Sequence, residues 1–273
     1  MKKTKYNYEI ICIDDGSKDK TAKLAKKAGA TVFSHPYNYG LAETFRTEMD
    51  AALKKKGDII VHIDADFQYK PADIPKMIEP IIKGETDLVL GSRFIGHIEE
   101  MPFVKRLGNI LFSRAISNIT KVKITDCQTG FRAFTDEFAR KINIISDYTY
   151  TQEMVIRAIK EKFRVKEIPI YFGKRLYGKS RLMSNPFVYA IKSWINIFRI
   201  YRDYNPLRFF GLIGGSLIFV GFLLGLYLGY TFLTLGFAGI DGRIPTILLA
   251  VLFLTSGLQI ILFGFFVDKF KQV

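Results

Sequence analysis

The sequence contains few cysteines and no cysteine pattern. Only two occur among its 273 residues, Cys12 in an apolar, strand-like run and Cys127 in a polar loop. Their separation matches neither a disulfide framework nor a zinc-binding motif. We therefore expect two free thiols, as is usual for a domain in a reducing compartment.

Charge is absent from two long stretches near the C-terminus. No charged residue occurs over 209–240 or over 244–267. Each stretch exceeds the roughly 20 apolar residues that cross a bilayer, so the sequence predicts two transmembrane helices, at 209–233 and 246–267. It thus divides into an α/β domain (1–184), an interfacial amphipathic helix with a linker (185–206) and a two-helix transmembrane region (207–273).

The net charge is +14, and several of the basic residues lie directly beside these spans. Basic residues precede the first span and follow the second, namely Arg199, Arg202, Arg208, Lys269 and Lys271. The positive-inside rule then predicts an integral membrane protein with both termini and the whole N-terminal domain in the cytoplasm. The chain contains no recognisable nucleic-acid-binding motif, so we expect no nucleic-acid partner.

Strand-like and helix-like segments alternate over the first hundred residues, which predicts a mainly parallel sheet covered by helices. Ligands of such sheets bind beyond the carboxyl ends of the strands. Polar clusters are expected at three of these ends: Asp14-Asp15, Asp64 with Asp66, and Ser92-Arg93. One crevice would then collect all three clusters.

The segment Asp64-Ala65-Asp66 follows the apolar run 58–61. Alternation along an extended chain places both carboxylates on one side, where they suit a hard divalent cation that also holds a diphosphate. Taken alone, this short motif is more often a turn in which aspartate stabilises its own backbone. The other motifs of the chain favour the metal.

Three polar signals follow downstream. The loop 126–132 ends in Gly130-Phe131-Arg132, and Glu153 lies in the first turn of a helix, where it would also compensate the helix dipole. The segment 175–181 places three cations and a hydroxyl group around a glycine. Such a segment is either a solvated loop or a clamp for a diphosphate.

Two further segments, 102–119 and 186–201, are amphipathic, basic and aromatic. Each fits a helix packed on a core or a helix lying on the bilayer surface. We favour interfacial helices, more firmly for the second, which carries Trp194 and leads into the first span.

In this order, five stretches resemble the GT-A glycosyltransferases of family 2, and above all the polyprenyl-phosphate sugar synthases of the dolichol-phosphate mannose synthase type. They are Asp14-Asp15-Gly16-Ser17, Asp64-Ala65-Asp66-Phe67-Gln68, Gly91-Ser92-Arg93-Phe94, Thr129-Gly130-Phe131-Arg132 and the segment 175–181. The resemblance implies a Rossmann-like GT-A domain and an inverting, metal-dependent transfer of sugar from a GDP- or UDP-linked donor to a polyprenyl phosphate.

The resemblance also implies roles for individual residues. The nucleotide would be bound by Asp14, Asp15, Ser17, Asp64, Arg175, Lys179 and Ser180. Mg²⁺ or Mn²⁺ would be bound by Asp64, Asp66 and Gln68. The acceptor phosphate would meet Arg106, Arg114 and Arg132. The candidate catalytic residues are Asp66, Asp126, Arg132 and Glu153. Because the acceptor is already an anion, no strong base is required, and Asp126 and Glu153 are the candidates if a carboxylate assists.

Two features differ from the family pattern or admit another function. The family begins with a strand and a Pro-x-Tyr-Asn-Glu-like loop, whereas this sequence starts just before the second strand, so we expect roughly 30 further residues upstream. A non-catalytic membrane scaffold or partner subunit is one alternative function. A processive polysaccharide synthase is another, although Trp194 lacks the Gln-x-x-Arg that would precede it.

Gly221, Gly225 and Gly229 share a face of the first span that allows close packing on the second span or self-association.

Overall fold

The computed structural model describes residues 6–144, 150–175, 195, 198–199 and 201–270. The chain forms two compact units, residues 1–179 and 180–273. Each unit is described below by itself.

The first unit alternates strands with helices, as the sequence predicts. Its strands are β1 (Ile11–Asp14), β2 (Thr31–Ser34), β3 (Ile59–His62), β4 (Leu88–Ile98), β5 (Arg132–Thr135) and β6 (Val165–Phe172). Its helices are α1 (Thr21–Lys27), α2 (Leu41–Lys54), α3 (Ile74–Ile82), α4 (Phe103–Thr120), α5 (Asp136–Lys141) and α6 (Thr151–Lys160), with a 3₁₀ turn at Pro71–Asp73.

The strands form two sheets. β1 pairs with β2 in parallel, and the second sheet has the order β3-β5-β4-β6. Within it β4 and β6 are parallel, whereas the short β5 runs antiparallel to β3 and β4. The predicted α/β class with a mainly parallel sheet is confirmed. In the part of the chain that the structure describes, β1 pairs only with β2 and β3 only with β5.

β4 is longer than predicted. The sequence predicts its end at Ser92-Arg93, but the strand continues to Ile98, with an irregularity in its pairing to β6 between Ser92 and His97. Glycine permits this close pairing, since a Cβ atom on Gly96 would lie 2.0 Å from the Ile170 carbonyl oxygen. Ser92 and Arg93 therefore lie within a strand and not in a loop beyond it.

The core of this sheet lies between α3 and the strands. It is built from Tyr69, Met77, Ile78, Ile81, Val89, Phe131, Ala133, Ile170 and Phe172. Tyr69 and Phe131 come from the loops that follow β3 and precede β5, so apolar packing anchors both loops at the carboxyl end of β3.

The second unit contains two long apolar helices, α7 (Pro206–Leu235) and α8 (Ile244–Phe270). Both are candidate membrane spans with a mean hydropathy of 2.3. They pack through small residues, because a Cβ atom on Gly214 would lie 2.5 Å from the Gly257 carbonyl oxygen. Gly221 also lies in this contact. An added Cβ atom on Gly225 would meet no described atom within 4 Å, so this glycine does not pack on α8, and self-association remains the prediction for it.

Candidate active site

The end of β1 forms the first cluster of the site. Asp14 is buried, and its Oδ1 accepts a hydrogen bond from the Ser17 amide at 3.3 Å. Gly16 has a φ of 69°, and a Cβ atom there would lie 2.4 Å from the Tyr37 backbone. The tight turn therefore requires glycine. Ser17, the third predicted nucleotide ligand of this segment, is exposed.

Asp15 joins this turn to the loop after β2. Its carboxylate accepts hydrogen bonds from the Tyr39 amide at 2.8 Å and the Gly40 amide at 3.0 Å, and it contacts His35 Nδ1 at 2.9 Å. Burial opposes ionisation, but His35 and the two amides outweigh it and lower the pKa of Asp15. Asp15 thus fixes a loop in addition to its predicted role toward a nucleotide.

The end of β3 presents Asp64 and is the centre of the second cluster. Asp64 Oδ1 lies 3.6 Å from His62 Nε2, and a Cβ atom on Gly130 would lie 2.1 Å from Asp64 Oδ2. Burial opposes ionisation of Asp64, but the close contact with His62 and the positive charges of Arg93 and Arg132 outweigh it and lower its pKa.

Asp66 and Gln68 continue this cluster in a turn where Phe67 adopts a φ of 63°, unusual for a residue other than glycine. Asp66 Oδ1 accepts a hydrogen bond from the Gln68 amide at 3.1 Å, and Asp66 Oδ2 accepts one from Arg175 Nη2 at 2.6 Å. Arg175 Nη2 also lies 3.5 Å from Gln68 Oε1. The structure therefore brings Arg175 to Asp66 and Gln68, which precede it by more than a hundred residues in sequence.

Arg93 and Asp126 form a buried ion pair. Arg93 donates through Nε to Asp126 Oδ2 at 2.6 Å, through Nη2 to Oδ1 at 2.8 Å, and through its amide to Oδ2 at 3.0 Å. The pair is 4% and 0% exposed, respectively. Glu167 supports the loop before Asp126 by accepting hydrogen bonds from the Thr125 and Asp126 amides. The predicted catalytic residue Asp126 is thus held on both of its oxygens.

Arg132 is fully buried. Its guanidinium donates to the Thr129 carbonyl at 3.0 Å and the Cys127 carbonyl at 2.8 Å, and lies 5.4 Å from the Tyr150 ring centroid. Burial lowers its pKa. These contacts hold the loop that precedes β5, and they leave the side chain directed at backbone groups.

The remaining predicted residues lie on helices or outside the described residues. Glu153 is 7% exposed in the first turn of α6, where Oε1 accepts from Arg157 Nε at 2.6 Å. Arg106 and Arg114 are exposed on α4. Lys179 and Ser180 lie outside the described residues.

Lys105 was missed as a site residue by sequence reasoning. It is only partly exposed on the first turns of α4. Burial lowers its pKa, and the positive charges of Arg93 and Arg175 lower it further, against the opposing effect of Asp66 and Asp64. The charges of Asp64, Asp66 and Arg175 in the second cluster therefore act on Lys105. The sequence pattern could have indicated that Lys105 faces the protein, because it shares a helical face with the buried residues Asn109, Phe112 and Ile116.

The donor set at the end of β3 suits a hard divalent cation, since carboxylate and amide oxygens are its preferred ligands. Among the described residues no group of three or more His, Cys, Asp or Glu side chains could hold a metal ion. The donors would be the carboxylates of Asp64 and Asp66 and the side-chain amide oxygen of Gln68. In this structure Asp66 Oδ2 accepts a hydrogen bond from Arg175.

This α/β fold is GT-A-like, with its polar residues at and beside the carboxyl ends of strands. Residues 1–142 match the family model described as Glycosyl transferase family 2. The chain therefore belongs to glycosyl transferase family 2, as the sequence resemblance predicted.

Several curated relatives match most of their own length. The chain is 38% identical to an uncharacterized protein of Methanocaldococcus jannaschii over 66% of this chain and 76% of that protein. It is 32% identical to a dolichyl-phosphate hexose transferase of Haloferax volcanii, over 64% and 73% of the two chains. It is 29% identical to a dolichol-phosphate mannosyltransferase of Pyrococcus furiosus, over 90% and 70%.

Solved structures of the same fold include glucosyl-3-phosphoglycerate synthase from Mycobacterium tuberculosis with phosphoglyceric acid. It matches with a TM-score of 0.51 and 21% identity over 64% of this chain and 62% of that chain. The same enzyme in complex with Mn²⁺, uridine diphosphate and glucosyl-3-phosphoglycerate matches with a TM-score of 0.50 and 20% identity. At this identity the likeness shows the fold.

Proposed function

We propose that this chain transfers a sugar from a nucleoside diphosphate to a polyprenyl phosphate of the dolichol type, with inversion at the anomeric carbon. The observation that carries the proposal is the contact of Arg175 with Asp66 and Gln68 in the loop that follows Asp64 at the end of β3. Family membership and the relatives named as dolichyl-phosphate sugar transferases support it.

Asp64, Asp66 and Gln68 would hold Mg²⁺ or Mn²⁺ against the donor diphosphate. When bound, the ion neutralises charge on the leaving diphosphate. Arg175 would move from Asp66 to the diphosphate, since guanidinium groups bind phosphate through paired hydrogen bonds. Asp14, Asp15 and Ser17 would meet the nucleoside, and Lys179 and Ser180 would complete the diphosphate site.

The acceptor phosphate would lie on the α4 side of this cluster. Lys105 is the cation that we propose to meet it, because the charges of Asp64, Asp66 and Arg175 all act on its pKa. Arg106 and Arg114 are exposed and suit the approach of an anionic lipid. The acceptor oxygen attacks directly as an anion, so the enzyme acts by positioning and charge stabilisation.

Two of the predicted catalytic residues receive structural roles in this proposal. Asp126 neutralises the buried Arg93, and Arg132 holds the backbone of its own loop. Glu153 remains the carboxylate proposed to orient the substrate, from the first turn of α6.

Exposed apolar residues support a position of α4 at the membrane surface. α4 exposes several of them on one face beside Arg106 and Arg114, namely Phe103, Val104, Leu107 and Leu111. A helix of this kind suits the bilayer surface, where a lipid phosphate is delivered. We propose that α7 and α8 span the membrane with both termini in the cytoplasm, and that the domain boundaries are those predicted. Gly225 and Gly229, which no described side chain covers, would serve self-association.

Transfer to an extracted lipid tests the proposal. Membranes bearing the protein are incubated with labelled GDP- and UDP-sugars and a polyprenyl phosphate, and the organic phase is assayed for labelled lipid. We expect label from one donor, lost in Asp66→Asn. Absence of labelled lipid with every donor, while the purified protein is folded, would contradict the proposal. The same panel identifies the sugar and the base.

A further inference from the structure

Behind Asp64, three side chains from three elements form a buried chain of hydrogen bonds. Glu48 of α2 contacts His62 Nδ1 through both carboxylate oxygens, at 2.8 and 2.7 Å. Tyr150, which precedes α6, places its Oη 2.6 Å from His62 Nε2. His62 and Tyr150 are 8% and 1% exposed, so solvent cannot replace these partners.

These contacts fix the imidazole ring of His62 in one orientation. Both of its nitrogens have partners, and the rings of Phe45 and Tyr150 pack edge-on against it at centroid distances of 5.6 and 5.4 Å. Phe45 and Tyr150 themselves stack at 3.9 Å with an interplanar angle of 1°. Rotation of His62 would break a hydrogen bond and open a gap in this packing.

Asp64 lies between this ring and the backbone of the loop before β5. It follows His62 by two residues, so an extended chain directs both side chains to the same side, and its Oδ1 is 3.6 Å from His62 Nε2. On the other side, Gly130 approaches so closely that no Cβ atom would fit beside Asp64 Oδ2. The carboxylate is therefore confined from two directions.

We propose that Glu48, His62 and Tyr150 are positioning residues that hold the Asp64 carboxylate in the orientation required to bind a divalent cation. The proposal rests on the proposed function, which makes Asp64 a metal ligand. The partners behind a metal ligand fix its orientation, and their loss typically weakens metal binding about 10- to 100-fold. A merely structural cluster would alter stability and leave the affinity for metal unchanged.

The test measures Mn²⁺ binding directly, by electron paramagnetic resonance of free Mn²⁺ with the full-length protein in detergent and without substrate. Glu48→Gln removes the negative charge that faces His62, Tyr150→Phe removes the hydroxyl group that contacts His62, and each keeps the size of the side chain. We expect Mn²⁺ affinity to fall about 10-fold in each. In the transfer assay, excess Mn²⁺ should restore the rate, with the KM for donor sugar unchanged at saturating metal.

Two matched variants serve as controls. Tyr171→Phe removes a phenol that donates to Glu99 at 2.5 Å, and Glu79→Gln removes a carboxylate that pairs with Lys83 at 2.7 Å. Neither contacts Asp64 in the structure. Both should bind Mn²⁺ as the wild type does, although each loses the same chemical group as its test variant.

The outcomes separate the two proposals. Wild-type Mn²⁺ affinity in folded Glu48→Gln and Tyr150→Phe overturns the positioning role and leaves sugar transfer intact. Weakened binding in the variants, with no transfer by the wild type to any lipid acceptor, supports the positioning role and contradicts the proposed function. Absence of Mn²⁺ binding by the wild type overturns the positioning role. If Glu48→Gln does not fold, Tyr150→Phe decides, because it retains the ring that packs on Phe45.

Discussion

Two arginine–carboxylate pairs lie near the end of β3, and their shortest N–O distances are both 2.6 Å. Arg93 and Asp126 are 4% and 0% exposed and share three hydrogen bonds. Arg175 and Asp66 are 34% and 21% exposed and share one. The two pairs therefore have the same N–O distance but differ strongly in solvent exposure and in the number of hydrogen bonds.

The difference indicates which carboxylate can exchange its partner. Asp126 cannot leave Arg93 without stranding a charge away from water, which is strongly unfavourable. Asp66 gains little from a partner that is one third exposed to solvent, since ion pairs at the surface contribute about 0–1 kcal/mol. A metal ion and a diphosphate can thus replace the Arg175–Asp66 contact at small cost, whereas the Arg93–Asp126 pair preserves the shape of the site.

Breaking the buried pair should have the largest effect. Asp126→Asn leaves the Arg93 guanidinium without its counter-charge, and we expect the free energy of unfolding to fall by about 3–5 kcal/mol. Thermal and denaturant unfolding of the purified protein in detergent measure this, with Asp66→Asn as the matched variant. A similar loss in both variants would show that the two pairs are equivalent.

Removing the carboxylate of the more exposed pair, Arg175–Asp66, should abolish sugar transfer and leave the stability of the fold almost unchanged. Asp66→Asn removes an anionic ligand from the proposed cation site, so we expect the transfer rate to fall ~100-fold or more. Unfolding free energy should change by less than about 0.5 kcal/mol. Chelator treatment of the wild type should reproduce the loss of rate, and added Mn²⁺ or Mg²⁺ should reverse it. Full activity in excess chelator would remove the metal from the mechanism.

Breaking the exposed pair at the arginine should change two affinities in opposite directions. Arg175→Gln removes a competitor of the metal at Asp66 Oδ2, so Mn²⁺ alone should bind as tightly as in the wild type or more tightly. It also removes a charged donor to phosphate, so a nucleoside diphosphate should bind about 10-fold more weakly. Calorimetry with each ligand separates the effects. Weaker binding of Mn²⁺ would show that Arg175 supports the carboxylate instead of competing with the metal.

Part of this site was predictable from local sequence. The strand before Asp64 and the position of Arg175 in a cationic segment both follow from patterns within a few residues. The length of β4 was not, because it depends on how closely Gly96 approaches Ile170, and these two residues are distant in sequence. β5 has only four residues and runs antiparallel, so alternation of strands and helices gave no sign of it.

The environment of the side chains was harder to predict than their positions. Asp126 occupies the predicted loop, but its burial against Arg93 is a contact across 33 residues. His62 meets Glu48 and Tyr150 across 14 and 88 residues. No sequence periodicity predicts contacts between residues so far apart, and a histidine in a strand is indistinguishable by sequence from an ordinary core residue. Only the folded chain shows which charged groups are already paired.

The smallest of the four predicted effects concerns Lys105, a cation that belongs to neither of the two pairs. Lys105→Met removes its charge and keeps its apolar stem, so the KM for lipid phosphate should rise by ~10-fold or less while the KM for the donor sugar changes little. Lys105→Arg should retain most of the wild-type KM, and Arg114→Met, on the exposed face of α4, should have a weaker effect. Because the pKa of Lys105 is lowered, the side chain loses its positive charge at a pH below the ordinary lysine pKa. The wild-type KM for lipid should therefore rise at alkaline pH, and Lys105→Met should not show this rise. An equal rise in KM for both substrates would place Lys105 among groups that support the whole site.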